Sequence, residues 1–88
     1  MRIEIIRYAP RFKRKFKRIG PELRSQVDQA IRSFQLNPFD PRLKTHRLEG
    51  KLKGCYSFSV NYYIRIIFVF ENSVSAIFMD LGSHSVYK

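Results

Sequence analysis

The sequence has one cysteine, few acidic residues and no long apolar run, and each shortage excludes something. With Cys55 alone, no internal disulfide and no cysteine metal cluster can form, and the residue reads as a small, half-buried strand side chain. No apolar stretch approaches the roughly 20 residues needed to span a bilayer, which makes a membrane the weakest of the anionic partners. The opening MRIEIIRYAP alternates charged and apolar residues where a secretion signal has an unbroken apolar segment, so the expected location is the cytoplasm. Linkers, repeats and low-complexity stretches are lacking too, and 88 residues suit one domain, 1–88, with one modest core. Only seven Asp and Glu oppose 17 Lys and Arg, leaving a formal charge of +10 that raises self-repulsion and favours nucleic acid or an acidic protein. Hydrophobic residues, 44% of the chain, run from end to end, which marks a folding domain rather than a disordered polycation.

The residue pattern predicts an α+β fold in the order β-α-α-β-β-β. From Arg2 to Tyr8, Ile3, Ile5 and Ile6 interleave with Glu4 and Arg7 as in a strand. After Ala9-Pro10, Phe12, Phe16 and Ile19 recur at helical spacing, with Lys13, Arg14, Lys15, Lys17 and Arg18 on the remaining face. Gly20 is suited to a left-handed turn ending this helix, and Pro21 to the first position of the next. Leu23, Val27, Ala30, Ile31 and Phe34 carry the second apolar stripe to Gln35 or Leu36, so the two helices form a hairpin able to lie across a sheet. Asn37-Pro38 and Asp40-Pro41 stop the helix and open a loop running to about Arg47. Gly54 to Val60, Tyr62 to Phe70 and Ser73 to Leu81 then read as an antiparallel three-stranded meander with turns at Asn61 and at Glu71-Asn72-Ser73. The middle segment looks central: Ile64, Ile66, Phe68 and Phe70 share one face, and Tyr63, Arg65, Ile67 and Val69 the other, with Arg65 its single charge.

Residues able to handle phosphate stand at the strand edges. Metal-free RNA cleavage needs a group to take the 2′-hydroxyl proton, one to protonate the departing 5′ oxygen, and a cation for the charge on phosphorus. His46, His84, Arg65 and Tyr87 can supply these functions between them. Each also has an ordinary use: His46 as a solvated loop residue, His84 as part of a surface tail, Tyr87 in packing, Arg65 paired with Glu71 or Asp80. Two basic groups, Arg11 to Arg18 and Arg42 to Lys53, can track a phosphate backbone or simply keep the surface soluble. The second flanks His46, so Lys44, Arg47, Lys51 and Lys53 are the candidate RNA contacts. Tyr56, Tyr62 and Tyr63 lie nearby and can stack on bases or fill the core. No residues have metal-ligand spacing.

The runs THRLEGKLKGCYSFSV, YYIRIIFVF and LGSHSVYK together resemble the RelE/ParE superfamily of type II toxins, especially its RelE and YafQ-like ribosome-dependent endoribonucleases. The resemblance spans the whole chain. It implies cleavage of mRNA in the ribosomal A site by 2′-hydroxyl attack, with no metal or cofactor, and a cognate acidic antitoxin that covers the toxin. It also implies roles: acid/base chemistry for His46, contact with the scissile phosphate for Arg65, the closing Gly-Ser/Thr-His motif for His84, and nucleotide orientation for Tyr87. Some YafQ-like members have a further histidine near Ser59 and an aspartate around Tyr63, which this sequence lacks. A gyrase-binding ParE-like inhibitor and a non-catalytic RNA- or antitoxin-binding module are the alternatives on the same fold, and the ending from His84 to Tyr87 argues against the first.

Overall fold

The computed structural model describes residues 1–83 and 86. The elements are β1 (Ile5–Tyr8), α1 (Pro10–Arg18), α2 (Pro21–Leu36), β2 (His46–Arg47), β3 (Tyr56–Ser59), β4 (Arg65–Phe70) and β5 (Ser75–Gly82), with single 3-10 turns at Pro41–Leu43 and Gly50–Leu52. Both helices open on a proline, whose preset φ suits the first turn and whose missing N–H would be unpaired there anyway. Among the described residues no helix is long and apolar enough to cross a membrane.

The passage between the helices differs from expectation. Gly20 is not left-handed: at φ −78° and ψ 172° it is extended, as is Ile19 before it. Gly20 instead caps α2, its carbonyl accepting from the Arg24 N–H at 2.9 Å, with no side chain to cap the other first-turn donors. A Cβ at this position meets nothing within 4 Å. Gly20→Asp therefore adds a capping oxygen next to the helix N-terminus and removes backbone freedom from the unfolded chain. The expected gain is about 0.5–1 kcal/mol, a rise of a few degrees in Tm by calorimetry. A lowered Tm would show that the position requires glycine.

The strands form one sheet in the order β1-β5-β4-β3-β2, with β1 parallel to β5 and the other pairs antiparallel. Two features depart from the sequence reading. His46 and Arg47, expected in a loop, make a two-residue edge strand on β3. The β3–β4 turn is also wider than Asn61 alone, because Asn61 Oδ1 accepts from the N–H groups of Tyr63 and Ile64, each at 2.8 Å, so that β4 begins only at Arg65. As expected, β4 is the middle strand.

Residues opposite one another on a ladder share a face. Phe58, Ile66, Leu81, Phe68, Phe78 and Ala76 thus line one side, where they pack with Phe12, Val27, Ala30 and Phe34 of the helices into the core. The other side carries Ser57, Ser59, Arg65, Ile67 and Asp80 and is not part of that cluster. A bulge makes this division possible. Ile67 pairs with Asp80 but the next residue, Phe68, pairs with Phe78, so Met79 is an extra residue on β5. Without it, strict alternation would put Asp80 on the same face as Phe78, inside the aromatic core.

Candidate active site

The polar residues gather on the sheet face away from the aromatic core, where Ser57, Ile67 and Asp80 are buried and Val86 lies over Gly82. One row runs His46, Ser57, Ile67, Asp80 across β2, β3, β4 and β5; the next runs Ser59, Arg65, Gly82. Lys44, two residues before His46, closes the second row at the edge and shares with Ser59 and Arg65 a pocket of about 300 Å³ completed by Arg42, Val60, Asn61 and Tyr62. With strands about 4.8 Å apart and about 3.4 Å of rise per residue, the Cα atoms of His46 and Arg65 stand on the order of 12 Å apart. Side chains of their length can meet over one nucleotide.

Arg65 is held loosely. Its Nη1 donates to Ser59 Oγ at 3.4 Å and to the Tyr62 carbonyl at 3.3 Å, both long bonds. The carboxylates that offered it an ordinary role are taken by others: Glu71 pairs with Arg7 at 3.1 Å, and Asp80 with Lys15 at 2.7 Å and Arg11 at 3.7 Å. Among the described residues Arg65 has no acidic partner. A guanidinium in this state retains donors for a planar, doubly accepting anion.

His46 is exposed, and its Nδ1 lies 2.9 Å from the Lys44 carbonyl. A carbonyl can only accept, so Nδ1 carries the hydrogen, and in the neutral ring Nε2 keeps its lone pair free to take a proton. Lys44 supplies that carbonyl from a left-handed conformation, φ 53°, at the end of the first 3-10 turn. The turn itself is fixed by Asp40, whose Oδ1 accepts from the Arg42 N–H at 2.9 Å while its carboxylate grips the Arg42 guanidinium at 2.8 Å. These hydrogen bonds hold the Asp40 carboxyl at about 2, well below the usual carboxylate range.

The other sequence candidates divide. Arg47 turns to the helix side, its guanidinium 5.9 Å over the ring of Tyr56, which is itself packed against Phe39, Phe68 and Phe70. Neither shares the face of His46. Lys51 and Lys53 are exposed at the tip of the β2–β3 connection, toward the opposite end of the sheet from Arg65. Tyr62 and Tyr63 are 80% and 72% exposed beside the Arg65 pocket, so of the three tyrosines they are the ones free to stack on bases. His84 and Tyr87 lie outside the described residues; β5 ends at Gly82, directly opposite Arg65. Sequence reasoning missed Ser59 and Asn61, which shape the pocket, and the Lys15–Asp80 pair on the same sheet face. The one available signal was an aspartate in an otherwise apolar strand.

No family model matches this chain. No curated protein matches it either. Solved structures do. The YoeB/ParE toxin from Agrobacterium tumefaciens superposes with a TM-score of 0.78 over 92% of this chain and 99% of that one, at 15% identity. The chain has the RelE/ParE toxin fold. A chain of the E. coli DinJ–YafQ toxin–antitoxin complex matches this fold with a TM-score of 0.75 over 98% of this chain and 97% of its own, at 17% identity. The Staphylococcus aureus YoeB–YefM complex gives 0.75 over 96% and 99%, also at 17% identity.

Proposed function

We propose that the chain is the toxin of a type II toxin–antitoxin system, a ribosome-dependent endoribonuclease that cuts mRNA in the A site without a metal or cofactor. The observation that carries this reading is Arg65, which sits in one row with Lys44, beside the row of His46, with no acidic partner among the described residues. His46 Nε2 takes the proton of a 2′-hydroxyl. The freed oxygen attacks the adjacent phosphorus, a 2′,3′-cyclic phosphate forms, and the bond to the 5′ oxygen breaks as His84 protonates it. Arg65 stabilises the added negative charge, Lys44 holds the phosphate and Tyr87 orients the nucleotide. Arg47, Lys51 and Lys53 serve as outlying contacts to RNA. The partners are the ribosome and an acidic cognate antitoxin, drawn by the +10 charge, and the setting is the cytoplasm. Structures of the similar toxins bound to YefM and DinJ support an antitoxin partner.

Primer extension on a defined mRNA, with and without translating ribosomes, tests the proposal. Cuts at fixed codon positions are expected only with ribosomes. His84→Ala is expected to reduce them about 100-fold or more, the scale of a lost general acid. A folded chain that makes no cuts would sink the nuclease reading, and DNA gyrase supercoiling would be the assay to run next.

A further inference from the structure

Lys15 belongs to the basic face of α1, yet its ammonium leaves that face for the sheet. It lies 2.7 Å from Asp80 Oδ1 on β5, and a Cβ built on Gly82 would meet Val86 Cγ1 at 2.5 Å and this ammonium at 3.7 Å. Gly82 is the register partner of Arg65, so that Cβ direction is the face of Arg65. The lysine reaches it because β5 outruns β1, whose last pair is Tyr8 with Phe78, and the chain turns into α1 beside the remainder of β5. Asp80 fixes the arrangement. Its carboxylate is 10% exposed, accepts from the Leu81 N–H at 2.8 Å and has Arg11 as a second cation at 3.7 Å. Lys15 is itself 41% exposed, and an ammonium with one donor on Asp80 has others to offer.

We infer that Lys15 is a phosphate-binding residue of the Arg65 site and that Asp80 is the residue positioning it. The inference rests on the RNA-binding reading above. Lys44, Arg65 and Lys15 then make a line of cations across the sheet, along the row Ser59, Arg65, Gly82 with Val86 seated over Gly82, so that a single strand of RNA passing over Val86 meets them in turn. Charge alone does not select Lys15: Lys13 and Lys17 of the same helix line an apolar groove with Tyr8, Phe12 and Phe16 between the helices, away from this row.

The test is binding of a labelled, all-2′-O-methyl single-stranded RNA, which cannot be cut, measured by anisotropy over a range of salt. Lys15→Gln is expected to weaken binding and to reduce the slope of log K against log salt by about 0.7, one phosphate contact on a single strand. Lys15→Arg restores the slope, and Lys13→Gln, an equal change of charge, leaves it as it was. Asp80→Asn adds one positive charge to the protein and still lowers the slope, because Lys15 loses its anchor. Arg11 remains on Asp80 in Lys15→Gln, so the carboxylate keeps a partner and the fold survives. Equal slopes for Lys15→Gln and Lys13→Gln, with a reduced slope in Arg65→Ala, would overturn the inference and leave the RNA reading standing. No binding by the native chain would bring down both. A Lys15→Gln defect seen only with a polyglutamate peptide would give the lysine to a protein partner and overturn it as well.

Discussion

Phe34→Ala destabilises the protein by roughly 3–5 kcal/mol, the range for emptying a filled aromatic site in a core. Phe34 is fully buried and is the point at which α2 enters the sheet. Its ring stacks on Phe58 at 4.8 Å and meets Phe68 edge-on at 4.8 Å and Phe78 edge-on at 5.3 Å, touching three adjacent strands at once. Small side chains cannot close such a gap, because the neighbours are held by sheet hydrogen bonds. Domains of this size have total stabilities of about 5–15 kcal/mol, and a charge of +10 places this one under self-repulsion. The variant is therefore expected to lose most of its urea midpoint and to be largely unfolded near 37 °C. Leu36→Ala, two residues on in the same helix but 63% exposed, is expected to change stability by less than about 0.5 kcal/mol. Similar midpoints for the two variants would show that α2 does not depend on this ring.

Phe34 was legible from sequence because it stands at helical spacing from Val27, Ala30 and Ile31, and the alternation of Ile64 through Phe70 named the face it meets. Local periodicity carries that kind of information. What it does not carry is any arrangement set by two segments together. The short strand at His46 exists because β3 offers it an edge, and two residues have no period to detect. Strict alternation along Ser73 to Leu81 would put Asp80 beside Phe78 in the core, and hides the bulge at Met79 that brings it to the face of Arg65. The hint was present in the spacing itself, since Ala76 and Phe78 are two apart and the next core residue, Leu81, is three further on. Gly20 was assigned to a left-handed turn by its residue type, although Ile19 and Gly20 in extended conformations join the two helices without one. At the candidate site, Arg65 was recognisable as a charge in an apolar strand. The side of the sheet to which Arg47 turns depends on the register of β2 with β3, and no pattern within the loop reveals it.

Arg65→Ala is expected to lower ribosome-dependent cleavage by about 10²–10³-fold, equivalent to the roughly 2.7–4 kcal/mol lost when one preorganised donor to a transition-state oxyanion is removed. The structure separates this effect from folding. Arg65 is only half-buried, its two hydrogen bonds are long, and no carboxylate among the described residues depends on it, so its removal leaves no buried charge unpaired. The expected change in urea midpoint is accordingly small. Arg65→Lys keeps the charge but replaces a planar fork with a point donor, and is expected to recover only part of the rate. Single-turnover cleavage measured beside unfolding curves decides the matter. Loss of cleavage at unchanged stability assigns Arg65 to the reaction, whereas cleavage that falls only in step with stability would make it a structural arginine. In that event Lys44 would be left sharing its pocket with an arginine that serves the fold, and the nuclease reading would lose the observation on which it stands.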